Sequence, residues 1–599
     1  MRAFALCEIA VGAFACFSRT VFYDLLLGPL VGIAGDPMAS AVMVFLALLP
    51  PTTLMGMSLP LLSRVVVERI EGAAGRIGWL YGLNTLGAAA GTLVTGAILI
   101  GMFGFAAAVY VAAGFNFLIG AVAWFASGRL SPAPPATGLP VHHGHANQTH
   151  RRLWYWGLMV FVSGFLIISL EIVWFRVLGT LLHHDAYVFC LILGCFLVGD
   201  GLGVVTGAEI ALRLVDPRRT FQVLQGAMGL YALVSMALLF ALTAWGGAAL
   251  FGVEGALPAR LGFAAVAVLP PAVLLGMSFP ITQRAIQDDP AAIGRRIGLV
   301  QLCNILGNTA GALVTGLVLL HWLGTAWTLR LIGIFSLVFV LLAFRHGRNR
   351  RRDAALALAL AALIALFPRN AVFWSALHGT TAAEGAIVGE DRTGIAVLRP
   401  AGSGVQTGDK YGGSPELAHD TLFISGHPQS RVPFLLGHGA VGALLHPDPQ
   451  DILIIGQGTA GTPIAAGIKP QTRNVRVVDI AAPVLDVMLA AARRSGDDTL
   501  HKPVREYYAD RRFTRLVADA RHVLLTEDTR YDIIEADAVM PTSALAGQLY
   551  STEFFRLVLS RLKPGGLVVQ WMPSDRTLVT FTPSTASAIG TSAPIMDSA

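Results

Sequence analysis

Residues 451–461 read DILIIGQGTAG, an apolar run that predicts a buried strand followed by a glycine-rich turn. Residues 475–480 read VRVVDI and predict a second strand that closes on Asp479. The acid follows the glycines by about 20 residues, a spacing typical of nucleotide-binding α/β folds. Glycines in such a turn let the backbone approach a ligand, and the acid can accept hydrogen bonds from ribose hydroxyls. This stretch therefore predicts a nucleoside-binding sheet.

The residues that follow continue an alternation of strands and helices. Residues 515–524 (RLVADARHVL) place Asp519 after a third strand, and residues 531–541 (YDIIEADAVMP) are a fourth strand that ends at Asp537. Residues 549–571 predict a helix, a Pro-Gly-Gly turn and a fifth strand. This alternation favours a parallel sheet. The acids at three successive strand ends would then line one crevice, where open α/β sheets bind ligands.

The chain before this sheet is far more apolar. The 599 residues are 54% hydrophobic and 13% charged, whereas soluble domains carry about 25% charged residues. Residues 1–380 hold 23 Arg, no Lys and 14 Asp or Glu, a net charge of +9, whereas residues 381–599 have a net charge of −3. This composition excludes an entirely soluble protein, a disordered chain and a nucleic-acid binder that relies on basic patches.

The apolar runs of the first part are long enough to cross a bilayer as helices. We predict a transmembrane domain of ten or eleven spans at residues 1–370, followed by an α/β domain at residues 384–599. The predicted spans lie near residues 3–18, 40–63, 77–100, 105–127, 153–175, 187–212, 221–245, 261–283, 297–320, 326–344 and, more weakly, 354–367. Arginines cluster in the loops after every even-numbered span, which places these loops and the N-terminus in the cytoplasm.

The helical part contains an internal repeat. Residues 50–100 match residues 270–320 without a gap, with 21 of 51 positions identical. Both copies follow an even-numbered span, which indicates a parallel repeat like those of transporters with two similar halves. The glycines four residues apart within each copy predict close helix packing, with a substrate path as the alternative.

The second half of the helical part is longer than the first. Residues 3–16 resemble residues 220–233, but the two spans within residues 153–212 have no counterpart in the first half. We therefore expect that about 65 residues are missing from the first half, lost in evolution or through a start codon assigned too far downstream.

Two acidic residues, Glu171 and Asp200, lie inside predicted spans. Charged residues within a span are costly and usually face the interior of a bundle. One interpretation is a polar pathway or a head-group site. The alternative for Glu171 is an ion pair with Arg176, five residues later, that only fixes helix packing.

The motifs GQGTAG, VVDI, DAR, YDxxxxD, LYSTEFF and LKPGG occur in this order in the α/β part. They resemble the spermidine synthase branch of the class I methyltransferase-like fold. HPDP at residues 446–449 and SxExxWxR in the polytopic part are similar to bacterial membrane proteins that fuse a transporter-like (MFS-type) bundle to a spermidine synthase-like domain. The resemblance covers nearly the whole chain. It implies a multi-pass protein of the bacterial inner membrane with an amine substrate and no nucleic-acid partner.

The resemblance also implies a role for each candidate site residue. The nucleoside-binding residues would be Gly456, Gly458, Gly461, Asp479, Asp519 and Ala520. The glycines would hold the sulfonium nucleoside, the first acid would bind its ribose hydroxyls, and Asp519 with the backbone of Ala520 would contact adenine. Asp537 would be catalytic and face the amine. The co-substrate would be decarboxylated S-adenosylmethionine or S-adenosylmethionine, with no metal. The structural alternative for each acid is a helix N-cap or loop role.

The chain departs from spermidine synthases at several positions. The family carries a Tyr-His-Glu stretch before the first strand, where this chain has only His438. Ala481 and Ala482 replace an acid and a proline, and Glu535 interrupts the fourth strand. The chain ends in a Ser/Thr-rich tail where the family continues with further sheet, so we expect a domain truncated at its C-terminus. These departures favour nucleoside binding over ordinary putrescine turnover.

Three functions follow as hypotheses. The first is a membrane-bound enzyme that transfers an aminopropyl group from decarboxylated S-adenosylmethionine to an amine. The second is a transporter of polyamines or other small molecules whose α/β domain senses a ligand or is a relic. The third is an S-adenosylmethionine-dependent methyltransferase, because a fold does not fix a function.

The side of the membrane that holds the α/β domain is a separate question. If residues 354–367 span, the positive-inside rule places that domain outside the cytoplasm. However, 14 residues form only about 21 Å of helix, which is short for a hydrocarbon core of about 30 Å. The segment could instead lie at the interface, or it could continue past Pro368 and span.

Overall fold

The computed structural model describes residues 1–581 except 23–24, 27–36, 67–72, 129–145, 184–185, 254, 288–292, 346–349, 382, 402–419, 430–431, 495–500, 538–542, 544–545 and 572–578. The Ser/Thr-rich tail, where we expect truncation, therefore lies outside the described residues.

The N-terminal part is built of helices. They are α1 (Arg2–Arg19), α2 (Pro37–Val66), α3 (Ala73–Val94), α4 (Ile100–Ser127), α5 (Ala146–Leu181), α6 (Ala186–Arg213), α7 (Pro217–Leu242), α8 (Ala248–Phe251), α9 (Leu257–Ile286), α10 (Ile293–Leu313), α11 (Leu320–Trp322), α12 (Gly324–Arg345), α13 (Arg350–Leu366) and α14 (Asn370–Leu377). Short π-helical segments at Thr95–Leu99, Thr243–Gly247 and Val314–Leu319 follow α3, α7 and α10.

Within the described residues, nine helices are long and apolar enough to cross a membrane, judged by length and composition alone. One of them runs over residues 75–127 and has 53 residues, which corresponds to about 80 Å of helix. Gly104 interrupts it with φ 76° and ψ 172°. The break lies within α4, so this stretch does not run straight but consists of two helical segments, one before and one after Gly104.

The segment near residue 360 is longer than the sequence predicts, and it is bent at its C-terminal end. Helix α13 begins at Arg350 and ends at Leu366, so it has 17 residues and not 14. Helix α14 follows at an angle of 82° to α13, with Pro368 between them, because proline disfavours helical backbone in the residue before it. If the segment spans past Pro368, it therefore does so as a bent pair of helices, and a position at the membrane interface stays the alternative prediction.

The two halves of the helical part have the same sequence of elements. Helices α2 and α9 both have 30 residues and both contain three prolines at matching positions. Gly104 and Gly324, which are 220 residues apart, both adopt positive φ, at 76° and 72°. Positive φ favours glycine, so the same residue type breaks the chain at the same place in each half.

The C-terminal part contains two sheets. A four-stranded antiparallel sheet has the order β1-β2-β3-β4, and a six-stranded sheet has the order β10-β9-β8-β5-β6-β7. The strands are β1 (Ile387–Asp391), β2 (Gly394–Arg399), β3 (Thr421–Ile424), β4 (His427–Pro428), β5 (Asp451–Ile455), β6 (Asn474–Asp479), β7 (Phe513–Val517), β8 (Tyr531–Ala536), β9 (Leu562–Gln570) and β10 (Val579–Phe581). Strands β5 to β9 are parallel and β10 is antiparallel to β9.

Helices cover both faces of the six-stranded sheet. They are α15 (Val432–Leu445), α16 (Gly461–Ala466), α17 (Ala482–Ala492), α18 (His501–Ala509), α19 (Ala520–Thr526) and α20 (Thr552–Ser560), with a 3₁₀ turn at Ala546–Leu549. The central strand β5 is apolar on both faces, and Ile452, Leu453 and Ile454 are fully buried. This pattern is typical of a parallel sheet covered on both sides.

The predicted Pro-Gly-Gly turn before the fifth strand is wrong in one respect. Pro564, Gly565 and Gly566 lie inside β9, whose pairing with β8 shifts register between Tyr531 and Ile533. Gly565 has φ 79° at this irregularity. The three residues therefore form a bulge within the strand and do not precede it.

The small sheet joins the two parts of the chain. The Arg176 guanidinium of α5 is 8% exposed, lies 3.9 Å from the Glu390 carboxylate of β1, and donates to the carbonyl oxygens of Asp391 and Gly394. Glu390 in turn accepts hydrogen bonds from the backbone and hydroxyl of Thr325 at the start of α12. Arg176 therefore does not form the predicted pair with Glu171, and it holds the C-terminal part instead.

These contacts lie at one end of the helical bundle. They involve the C-terminal end of α5 and the N-terminal end of α12, whose opposite ends carry Arg151, Arg152 and Arg345. At that arginine-rich end, Arg219 forms a 2.8 Å ion pair with the buried Asp353 at the start of α13. The C-terminal part therefore docks on the face away from the arginine-rich loops.

Candidate functional site

The glycine-rich turn lies at the carboxyl end of β5. Gly456 and Gly458 adopt φ 95° and 51°, a region that glycine enters at little cost. Ala460 has φ 68° and precedes Gly461, the first residue of α16. The Gly456 N–H donates to the Val478 carbonyl of the neighbouring strand. The three glycines assigned to nucleoside binding therefore lie together in one turn beside the end of β6.

Asp479 is the last residue of β6 and is 8% exposed. One carboxylate oxygen accepts from the Gln457 N–H and the other from the Ala481 N–H, both at 2.8 Å. Burial raises the pKa of the Asp479 carboxyl, and the two hydrogen bonds oppose that rise. The residue thus fixes the glycine-rich turn to the start of α17. Each oxygen keeps a second lone pair for a ligand hydroxyl.

Asp519 and Ala520 lie after β7, next to β6 in the sheet. Asp519 is the N-cap of α19, and its side chain accepts from the Arg521 N–H at 2.8 Å. Asp519 is exposed, whereas Ala520 is buried. The helix-cap role, given above as the alternative for this acid, is present. The adenine contact remains a prediction.

Asp537 directly follows β8, and its N–H donates to the Ile455 carbonyl of β5. Its carboxylate accepts a hydrogen bond from the Thr462 hydroxyl at 2.5 Å. Burial raises the pKa of the Asp537 carboxyl, which the Thr462 hydrogen bond and the charge of His438 oppose. Asp537 therefore faces α16, on the same side of the crevice as the glycine-rich turn.

Glu535 precedes Asp537 by two residues, so both side chains point to the same face of β8. Glu535 is fully buried, and its Oε1 lies 2.6 Å from Nδ1 of the buried His438 on α15. Burial raises the pKa of Glu535 to about 7. Burial alone would lower the pKa of His438, but the hydrogen bond and charge of Glu535, with the charge of Asp537, raise it.

This pair leaves polar atoms without partners. Among the described residues, neither Glu535 Oε2 nor His438 Nε2 has a hydrogen-bond partner. A buried polar atom of this kind is costly unless a ligand or a water satisfies it. Together with Asp537, the pair forms a cluster of acidic and basic groups that suits an ammonium or amine.

Several neighbours of the candidate residues were not predicted from the sequence. Thr462 contacts Asp537, and the Tyr550 ring lies near enough for the charge of Asp537 to contribute to its pKa, which burial raises to about 12. Gln457 is fully buried and hydrogen-bonded to the hydroxyls of Tyr507 and Tyr508. For Glu535 the sequence did carry a signal, since an acid interrupts an otherwise apolar strand.

The first acid of the YDxxxxD motif lies at the opposite edge of the sheet. Asp532 accepts from the backbone N–H groups of Gln450 and Asp451 and from Lys563 Nζ at 2.9 Å. It therefore stabilises the amino ends of β5 and β8. The crevice receives only the second acid of the motif, Asp537.

Among the described residues, no three histidine, cysteine or acidic side chains converge as a metal site would require. The five cysteines are not joined by disulfides.

Comparison with known proteins relates the C-terminal part to one family. Residues 435–576 match the sequence model of the spermine/spermidine synthase domain. The matched segment runs from α15 past β9. It includes the glycine-rich turn, the three candidate acids Asp479, Asp519 and Asp537, and their neighbours described above. The C-terminal part therefore carries a spermidine synthase-type domain with a parallel sheet.

Three curated relatives are polyamine aminopropyltransferases. "Polyamine aminopropyltransferase 2" of Streptomyces coelicolor is 29% identical over 59% of this chain, and the match spans 63% of that protein. "Polyamine aminopropyltransferase 1" and "2" of Ralstonia nicotianae are 26% and 27% identical over 73% and 69% of this chain, and the matches span 79% and 77% of those proteins. These alignments are too long to be confined to the α/β domain.

Two solved spermidine synthases also match. One is in complex with the transition-state analogue AdoDATO and is 17% identical, with a TM-score of 0.24 over 31% of this chain and 56% of that chain. The other, from Thermotoga maritima, is 18% identical, with a TM-score of 0.24 over 31% of this chain and 55% of that chain.

Proposed function

We propose that this chain is a membrane-bound aminopropyltransferase that moves an aminopropyl group from decarboxylated S-adenosylmethionine to an amine. The observation that carries the proposal is the position of Asp537. Its carboxylate lies at the crevice of a spermidine synthase-type sheet, hydrogen-bonded to Thr462 and close to the His438–Glu535 pair. The polyamine aminopropyltransferases among the relatives support the same reaction class.

The reaction needs little from the protein beyond orientation and a proton acceptor. The lone pair of a neutral amine attacks the methylene carbon next to the sulfonium. The carbon–sulfur bond breaks, and its electron pair neutralises the sulfur to give methylthioadenosine. The new secondary amine carries one proton more than it needs. A carboxylate at the crevice can orient the amine and accept that proton, while the site holds both reactants in line.

The residues divide the task by position. Asp537 faces the amine and takes its proton. The glycine-rich turn and Asp479 hold the nucleoside, and the exposed Asp519 lies at the same sheet edge for the adenine. The raised pKa of Asp537 makes its carboxylate a better proton acceptor than that of an ordinary aspartate.

We also propose that the helical part is an inner-membrane bundle. Nine described helices suit a bilayer by length and composition, and the arginines cluster at one end of the bundle. By the positive-inside rule that end faces the cytoplasm. The C-terminal part contacts the other end, which supports a location of the crevice outside the cytoplasm.

The experiment is an aminopropyl-transfer assay on the purified full chain in detergent. Decarboxylated S-adenosylmethionine is supplied with a panel of di- and triamines, and both methylthioadenosine and the polyamine product are measured by mass spectrometry. We expect Asp537→Asn to lose at least about 100-fold in rate, the usual size of a general-base contribution. The control is Asp528→Asn, a fully exposed carboxylate of the same domain.

Formation of methylthioadenosine without an aminopropylated amine would contradict the transfer. Equal rates for Asp537→Asn and Asp528→Asn would contradict the assigned role of Asp537. Methylated product from S-adenosylmethionine would instead support the methyltransferase hypothesis.

A further inference from the structure

The repeat makes it possible to compare equivalent glycines in the two halves of the bundle. Gly307 and Gly311 of α10 pack against α5: a Cβ at Gly307 would overlap the Phe161 carbonyl, and one at Gly311 would lie 2.6 Å from the Phe165 carbonyl. Their equivalents on α3 are Gly87 and Gly91, 220 residues earlier. Among the described residues, no atom beyond the backbone of their own helix lies within 4 Å of a Cβ added at either glycine.

The same difference holds for α9 and α2. A Cβ at Gly276 of α9 would overlap the backbone of Asp200 in α6, whereas a Cβ at its equivalent on α2, Gly56, would contact none of the residues that the structure describes beyond its own helix. The span at residues 257–286 is 44% buried, and the equivalent span at residues 41–63 is 6% buried. Within the described residues, the first half thus has the same glycine packing surface as the second half, but no helices equivalent to α5 and α6 cover it.

Other glycines are packed in the first half and open in the second half. Gly78 of α3 and Gly96 after it pack against Ala208 and Cys190 of α6. In the described part of the chain, a Cβ at either of their equivalents in the second half, Gly298 and Gly316, would have no neighbour within 4 Å beyond its own helix. Helix α6 therefore covers one face of α3, and the corresponding face of α10 is uncovered.

A second pair of helices would cover all five of the glycines that are open in the described structure. A second helix pair, placed on the first half as α5 and α6 are placed on the second, would cover Gly87 and Gly91 with one helix. Its other helix would cover Gly56 together with Gly298 and Gly316. Glycines that let helix backbones approach are a recurrent means of packing in membranes.

We propose that the cleft between α2, α3 and α10 binds a membrane partner that presents an antiparallel pair of apolar helices of the α5–α6 type. The glycine faces accept backbone carbonyls, as Gly307 and Gly311 accept those of Phe161 and Phe165. The inference rests on the proposed membrane location of the bundle and is independent of the proposed enzyme activity.

The experiment places the new cysteine beside the glycine face, so that the face itself is unchanged. In the second half, a Cβ at Gly157 of α5 would lie 3.1 Å from Sγ of Cys303 on α10, and the repeat equivalent of Cys303 is Leu83 on α3, which is 59% exposed. The full chain therefore has its five native cysteines replaced by alanine and carries Leu83→Cys. The probe is a fragment of residues 146–213, the α5–α6 pair itself, with Gly157→Cys and its own cysteines replaced. Both are reconstituted in lipid vesicles and oxidised, and we expect a disulfide between Leu83→Cys in the chain and Gly157→Cys in the fragment.

Two controls make the result specific. Gly114→Cys on α4 is equally open, but its repeat equivalent Ile334 is 47% exposed, so no partner is expected there and no crosslink should form. A chain that keeps Cys303 and carries Gly157→Cys should form the internal disulfide and so validates the oxidation. Flotation of the vesicles reports membrane insertion separately.

Three outcomes would overturn the proposal. If the internal disulfide forms and Leu83→Cys does not react with the fragment, lipid covers this cleft. Crosslinking of Leu83→Cys between two full chains would show that a second copy is the occupant. Equal crosslinking of Leu83→Cys and Gly114→Cys would show unspecific collision. A chain that fails to float would refute the membrane location instead.

Discussion

Glu535 is an acidic residue at a strand position where a buried apolar residue is usual. An acid at the centre of a parallel sheet would ordinarily be replaced by an apolar residue, yet here it is fully buried against His438. Removing one member of such a pair leaves the other uncompensated, at a cost of several kcal/mol. The pair therefore has to be explained together, as one titrating unit next to Asp537.

This pair predicts a pH dependence of stability. The pKa of Glu535 rises from its ordinary 4.5 to about 7 on folding, and that of His438 rises as well. Folding therefore favours the protonated forms, so their contribution is complete below the unfolded pKa values and is lost as pH rises through the folded ones. We expect the free energy of unfolding of the α/β domain to fall between about pH 5 and about pH 8.

Denaturation of the full chain in detergent, followed by tryptophan fluorescence, measures this dependence. Glu535→Gln should flatten it, whereas Glu553→Gln, at an exposed acid of α20, should leave it unchanged. A pH dependence that survives Glu535→Gln would show that other groups cause it.

Asp479 gives a second prediction. Its two oxygens accept from two backbone N–H groups, and asparagine can supply only one acceptor oxygen. Asp479→Asn should therefore destabilise the domain by about 1–3 kcal/mol and remove the thermal shift produced by methylthioadenosine. The comparison is Asp486→Asn, an exposed acid of α17. If Asp479→Asn binds methylthioadenosine as well as the wild type does, the role of Asp479 is purely structural.

The candidate acids could be predicted because each ends a short apolar run, and the ends of parallel strands meet at one edge. Their partners could not be predicted. The Thr462–Asp537 hydrogen bond depends on how α16 lies across the sheet, and the Arg176–Glu390 pair joins residues 214 positions apart. For Arg176, a nearby acid in sequence favoured Glu171, but tertiary packing decided otherwise.

At the scale of elements, the repeat was visible in the sequence, whereas the difference between its two copies was not. Identical glycines have different neighbours because what covers a helix is contributed by other helices. The bulge in β9 has a similar explanation: Pro564, Gly565 and Gly566 suggest a turn locally, but pairing with β8 extends the strand through them.

The unequal glycines predict unequal effects of the same substitution. Gly307→Ala should destabilise the bundle by about 1–3 kcal/mol, because backbone atoms of α5 leave no room for a methyl group. Gly87→Ala meets nothing within 4 Å and replaces a poor helix former by a good one, so it should be neutral or stabilising by up to about 1 kcal/mol. Thermal unfolding of the two variants in detergent tests this, and equal losses would contradict it.

At the scale of the whole molecule, the docking of the small sheet decides where the crevice lies. The C-terminal part contacts the bundle at the ends of α5 and α12 that are opposite the arginine-rich loops. If those loops are cytoplasmic, the crevice faces the other compartment. The sequence left this undecided, since the length of residues 354–367 was ambiguous without the start of α13 at Arg350.

Cysteine labelling tests the orientation. In a cysteine-free background, Asp528→Cys in the α/β domain should react with a membrane-impermeant maleimide on intact cells. Val215→Cys, 96% exposed in the loop between α6 and α7, should react only after the membrane is opened. The reverse pattern would place the α/β domain in the cytoplasm.

If the crevice lies outside the cytoplasm, as proposed, the membrane voltage acts on the product of the reaction. A triamine product carries three positive charges, and an inside-negative potential favours its entry by about 2.3 kcal/mol per charge for every 100 mV, about 7 kcal/mol in all. A polyamine made at the outer face would thus be drawn inward through any cation-permeable route. One made at the inner face would be retained there by the same potential.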